Sequence, residues 1–132
     1  MIDREQRIRD FLDAIARGDF ESALANLDPG VEWYPPEQGT LARVYRGHDE
    51  VRDLFSSLFD SWASITHDQV RVEDVPAGTL VLVRLRLEGK ASHVSLDEDW
   101  GYLTGFSEDG LIHSVRMFTD HAAAMTAARA SV

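Results

Sequence analysis

Two β-favouring runs, Trp100–Phe106 and Leu111–Phe118, are separated only by Ser107-Glu108-Asp109-Gly110. An Asp-Gly step between such runs is a strong hairpin signal, because Asp tolerates left-handed backbone and Gly supplies it without steric cost. A third run, Thr79–Leu87, follows the turn Pro76-Ala77-Gly78 and ends at Gly89. Aliphatic and β-branched residues dominate it, and its second half alternates apolar residues with Arg84 and Arg86, which predicts a strand. Three successive strands with no helical pattern between them predict an antiparallel meander with one covered face.

Strand parity then sorts the side chains. Trp100, Tyr102, Thr104 and Phe106 share one face; His113, Val115 and Met117 share a face of the next strand; Val81, Val83, Leu85 and Leu87 form the apolar face of the third. These faces are taken as inward, with Arg84, Arg86 and Arg116 outward. An inward face holding Tyr102, Thr104 and His113 is more polar than a plain core and points to a cavity, although a buried Tyr or His that merely finds a core partner is the simpler account. Counting back from the turn places Tyr102 beside His113. Leu80, Leu82, Ile112 and Phe118 point the other way, giving an apolar outer face with no helical layer of its own. That face is the ground for expecting a homodimer.

The rest of the chain supplies the helices. Asp3 followed by Gln6 predicts a capped helix with Ile8, Phe11, Leu12, Ile15 and Ala16 on one stripe, stopped by Gly18. Asp19 is placed to cap a second, with Phe20, Ala23, Leu24 and Leu27 inward, ended by Asp28-Pro29-Gly30. Val31–Tyr34 predicts a brief strand closed by Pro35-Pro36, and 37–47 a loop. Asp49 is the expected cap of a third helix carrying Val51, Leu54, Phe55, Leu58, Phe59 and Trp62. Ile65–Val75 predicts an edge strand, Lys90–Asp99 a polar loop, and Asp120 the cap of a short Ala-rich helix over His121–Arg129. Helices first and strands afterwards make an α+β domain spanning 1–132, a cone-shaped curled antiparallel sheet packed on three helices, with a short C-terminal helix.

Charge and composition remove several functions. A net charge of −10 opposes binding to nucleic acid, which needs a basic surface. With no Cys there is no disulfide, thiol nucleophile or Cys–zinc site. His48, His67, His93, His113 and His121 lack metal-ligand spacing and are read mostly as solvated surface, so neither metal nor cofactor is expected. No apolar run approaches membrane-spanning length and no apolar signal region opens the chain; a cytoplasmic protein without membrane contact is the expectation.

The order of landmarks resembles the nuclear transport factor 2-like superfamily, in its SnoaL-like and ketosteroid-isomerase-like branch. The matching stretches are Phe11, Ile15–Ala23, Val31-Glu32-Trp33, Tyr45–Arg52, Trp62, and Glu108–Ile112 leading to Phe118-Thr119-Asp120. The resemblance implies a cone-shaped α+β barrel, usually dimeric, with a pocket for a small and largely apolar molecule. Enzymes of this superfamily include steroid isomerases, polyketide cyclases, epoxide hydrolases and dehydratases, while other members bind ligands or act as scaffolds. Ketosteroid isomerase uses an Asp base with an oxyanion hole of Tyr and protonated Asp; the corresponding base and acid positions here are Tyr34 and Tyr102. The inward carboxylate expected on the last strand of cyclases and epoxide hydrolases falls at Met117, and Asp120 is better read as a helix cap.

The resulting candidates are His113 as acid or base and Tyr102 as hydroxyl donor. Trp33, Tyr34, Phe55, Trp62, Leu85, Trp100, Val115 and Met117 are expected around a cyclic or aromatic ligand. No carboxylate to orient His113 is identifiable in the sequence, and Glu32 and Asp99 are the candidates for one close in space. One reading is a small-molecule-binding protein, with proton-transfer isomerase or cyclase chemistry. The alternative is a non-catalytic dimerisation or scaffold module with a vestigial cavity. A ligand site should enclose roughly 300 Å³ or more, which separates the two.

Overall fold

The computed structural model describes residues 3–35, 43–89 and 95–129. Helix α1 (Arg4–Ala16) starts where the Asp3 carboxylate accepts the Gln6 N–H at 2.7 Å, and α2 (Phe20–Leu24) starts at Asp19, which accepts from Ser22. Strand β1 (Leu27–Tyr34) begins earlier than its sequence suggests, running through Asp28-Pro29-Gly30, and pairs with the two-residue β2 (Tyr45–Arg46). Helix α3 (Gly47–Ser61) opens two residues before Asp49, which therefore sits inside its first turn and is not its cap. Strands β3 (Trp62–Val75), β4 (Gly78–Gly89), β5 (Ser95–Phe106) and β6 (Ile112–Phe118) follow, then α4 (His121–Arg129). The expected loop over 37–47 and the start of the one over 90–99, with His93, fall largely outside the described residues.

The six strands form one curled sheet in the order β2-β1-β6-β5-β4-β3. The meander is antiparallel as its turn chemistry demands: Gly110, at φ 80°, donates its N–H to Ser107 O, and Ser107 N–H bonds back to Leu111 O. β1 lies parallel to β6, so the sheet is mixed and not wholly antiparallel. Residues 95–99 extend β5 instead of forming a loop. Their alternation explains it: Asp97 and Asp99 point outward to Arg86 and Arg84 at 3.0 and 3.3 Å, while Glu98 and Trp100 share the opposite face.

Two bulges set which side chains face inward. On β6, Phe106 pairs with Ile112 but Gly105 pairs with Ser114, leaving His113 as an extra residue. Ile112 consequently turns into the core with Val115 and Met117, and His113 turns out. On β3, Asp68 pairs with Arg84 and Arg71 with Leu82, with Gln69 held at φ 51°. Ile65 and His67 face inward before that bulge, and Val70 and Val72 pack on the core after it.

Helix α4 covers the apolar part of the outer face, on β4, β5 and β6. Leu80, Leu82 and Leu103 are buried against Ala124 and Ala128, with Phe118 alongside. Burial of each Leu favours this docking by about 1.5–3 kcal/mol. Gly101 permits the approach, since a Cβ there would stand 2.4 Å from the Ala124 Cβ. The Asp120 carboxylate accepts the Ala123 N–H at 2.6 Å and starts the helix. The uncovered apolar face that motivated a homodimer is therefore occupied by the chain itself.

Candidate ligand pocket

Between the helices and the inner sheet face lies a cavity of about 240 Å³. Its rear wall is aromatic because α1, β1 and α3 each contribute a ring at a helical or strand-parity position. Phe11 of α1 and Phe55 of α3 stand 6.1 Å apart between centroids, and Trp33 of β1 meets Phe55 edge-on at 5.7 Å. Phe20 of α2 packs on Phe55 and Phe59 behind them. Trp33 donates its indole N–H to the Met117 sulfur at 2.9 Å, which fixes the ring edge against β6. Such tilted and edge-to-face pairs hold one another beyond their area burial, so this wall is preformed.

The opposite wall, from β3, β4 and β5, carries the polar groups. Tyr102 Oη lies 3.4 Å from His67 Nε2, a long hydrogen bond whose direction follows the imidazole tautomer. The other ring nitrogen, His67 Nδ1, is buried with no protein partner among the described residues. Burial pushes the His67 imidazole down to about 4 and raises the Tyr102 phenol well above its usual value. Both are therefore neutral at pH 7. At the mouth, Trp62 and Trp100 pack on Ile65, Leu85 and Leu87, and Trp100 donates its indole N–H to the exposed Glu98 carboxylate at 2.5 Å. Among the described residues that line the cavity, Glu98 carries the sole carboxylate, and no Lys or Arg lines it.

The SnoaL-like domain matches residues 8–115, most of the chain. The chain belongs to the SnoaL-like domain family. Solved structures agree on the fold of this SnoaL-like protein. A nuclear transport factor 2-like protein of unknown function from Burkholderia pseudomallei superposes with a TM-score of 0.78 at 22% identity, covering 98% of this chain and 100% of that one. Another from Burkholderia thailandensis gives 0.75 at 25% identity over 95% and 98%. TerC, co-crystallized with polyporic acid, gives 0.77 at 15% identity over 93% and 95%. No curated protein matches the chain.

Within the SnoaL-like cone, the sequence-derived candidates separate. Tyr102, Trp33, Phe55, Trp62, Leu85, Trp100 and Met117 all line the cavity. Tyr34 does not: it alternates with inward Trp33 and pairs with Arg116 at the sheet's other face. Val115 is core and borders only a void of about 10 Å³. His113 is the main correction. The β6 bulge leaves its side chain 51% exposed, 3.8 Å from Asp28, and Met117 is the β6 residue opposite Tyr102. Glu32 and Asp99, the candidate carboxylates for it, are engaged with Arg46 and Arg84. The polar partner of Tyr102 is instead His67, expected on the surface because an edge strand of mostly polar residues gives little sign of an inward side. Glu98 was hidden in a run of acids. Its signal is the pairing of alternate acids on β5 with alternate arginines on β4.

Proposed function

We propose that this protein binds a compact cyclic or aromatic molecule in the cavity, with Tyr102 and His67 as its polar anchors. The observation that carries the reading is an aromatic-walled cavity of about 240 Å³ holding one pair of neutral polar side chains. By the roughly 300 Å³ criterion this volume falls on the side of the vestigial cavity, yet it exceeds the ~150 Å³ of a cavity that holds benzene, so a compact ligand meets the space where a larger one would not. One or two fused rings fit such a space. A ligand oxygen beside Tyr102 would take a hydrogen bond that the long 3.4 Å contact with His67 Nε2 leaves weakly engaged. TerC, on the same fold and co-crystallized with polyporic acid, supports a small-molecule role.

An imidazole with a pKa of about 4 is a weak base, and a desolvated phenol holds its proton. The pair is suited to orienting a carbonyl or phenolic oxygen, not to abstracting a proton at pH 7. The test is calorimetric titration of 2-naphthol into wild type and Tyr102→Phe. The variant should bind about fivefold more weakly, the loss of one hydrogen bond. Equal affinity for both proteins, or no binding by any member of a panel of one- and two-ring phenols and ketones, would overturn the reading.

A further inference from the structure

The pocket mouth differs from its depth. The buried pair Tyr102 and His67 is neutral; across Leu85 from His67, the exposed Glu98 carboxylate adds a negative charge beside the Trp100 indole. Glu98 is level with Leu85 across the β4–β5 ladder, on the inward face, and Trp100 follows on that same face. The indole N–H of Trp100 occupies one carboxylate oxygen, Oε2, at 2.5 Å. A carboxylate has acceptor capacity for about four hydrogen bonds, so this contact orients the group without saturating it. Trp62 and Trp100 gather at the same end over Leu85 and Leu87, and both are only partly buried, so their rings are within reach of an entering molecule.

From this arrangement we infer that the mouth is a recognition site for a cationic amine, so that the ligand is a compact ring bearing a protonated nitrogen. This rests on the cavity-binding reading and adds a charge to it. Three physical terms point the same way. The Glu98 carboxylate, held by the Trp100 N–H edge, attracts an ammonium by charge, and the partly exposed rings of Trp62 and Trp100 at the same end offer it the ring quadrupole as well. An anionic ligand would meet Glu98 with no Lys or Arg among the described lining residues to offset it. The net charge of −10 adds a long-range field of the same sign. The ring would enter the aromatic depth, its polar edge would meet Tyr102 and His67, and its ammonium would remain at the mouth, where hydration is partly kept.

Three probes sharing one ring decide the matter: naphthalen-2-ylmethylammonium, 2-naphthalenemethanol and 2-naphthoate. Each is titrated calorimetrically into wild type and Glu98→Gln at pH 7. Gln preserves an oxygen acceptor for the Trp100 indole while removing the charge. Wild type should bind the ammonium roughly 5- to 10-fold more tightly than the alcohol, as a partly exposed ion pair with a cation–π contact would give, and the naphthoate most weakly. Glu98→Gln should erase the preference for the ammonium over the alcohol. A wild type that binds alcohol and ammonium equally overturns this inference and leaves the cavity reading standing. A preference that survives Glu98→Gln also overturns it, since the overall charge of the chain would then be its source. Failure of all three probes to bind overturns the cavity reading and the inference together.

Discussion

The two faces of the sheet solve opposite problems with different residues. The outer face meets α4 through Gly101, Ala124 and Ala128, and the backbones come so close that a single added methyl has no room. The inner face meets α1, α2 and α3 through Trp and Phe rings, and those rings leave about 240 Å³ between them. Small residues allow two surfaces to close; large rigid rings that touch at their edges hold surfaces apart. Stability is therefore expected to be concentrated on the outer side and ligand binding on the inner.

The largest test of that contrast is Gly101→Ala. Its new Cβ would fall 2.4 Å from the Ala124 Cβ, an atom fixed to a helix backbone, so α4 must move as a body. A cost of about 2–3 kcal/mol is expected, at the upper part of the overpacking range, read as a lower urea midpoint. Adding Ala124→Gly removes the clashing atom, and the double variant should regain part of the loss despite a helix-propensity penalty of about 1 kcal/mol. Additive losses would mean that the two residues do not meet, and the outer face would lose its claim to tighter packing.

The second test uses the proton. His67 has its pKa near 4 in the native chain and an ordinary value of 6.5 when unfolded. Between those values the unfolded chain binds the proton and the native chain does not, so stability falls as pH drops from 6.5 towards 4. At pH 4.5 the loss relative to pH 7 amounts to roughly 2–3 kcal/mol. Asp19, Glu50 and Asp97, each lowered by its hydrogen-bond partners, add a fall in stability of the same sign towards the acid end, so the comparison with a variant lacking the imidazole isolates His67. His67→Leu should flatten the slope over this pH range, and an unchanged slope would mean that the inner face is wetter than its aromatic walls imply.

The sequence made the outline of this contrast legible but misplaced two details. Alternation in β4 and β5 identified the inner set from Val81 to Trp100 and Tyr102, and the apolar outer set of Leu80 and Leu82, because a period of two leaves little choice in a covered strand. The helical stripes placed Phe11 and Phe55 on the cavity side in the same way. A bulge carries no such periodic mark. One extra residue at His113 reversed the parity of Ile112 and turned the expected acid–base residue to solvent. On β3, the inward position of His67 was masked by polar neighbours on an edge strand. The role of α4 was missed for a different reason: an Ala-rich helix has too little apolar bulk to announce what it covers, and only the Gly101–Ala124 approach shows that small residues were the requirement.

The smallest expected effect on stability is the sharpest test of the cavity. Leu85 is buried, lies between His67 and Glu98 across the ladders of β3 and β5, and lines the pocket. In Leu85→Phe the larger ring grows into open space, whereas the methyl at Gly101 grows into a helix. Overpacking costs energy because neighbours are forced off their rotamers; a side chain entering a void forces nothing and gains the contacts that the void had denied it. The change in stability should therefore stay within about 1 kcal/mol of wild type, while the added ring takes the volume a ligand needs and 2-naphthol binding falls at least tenfold. Equilibrium unfolding and calorimetry on the same preparation read both quantities. A loss of stability as large as that of Gly101→Ala would mean that the inner face is packed like the outer one. The difference between the two faces, and the pocket built on it, would then fail together.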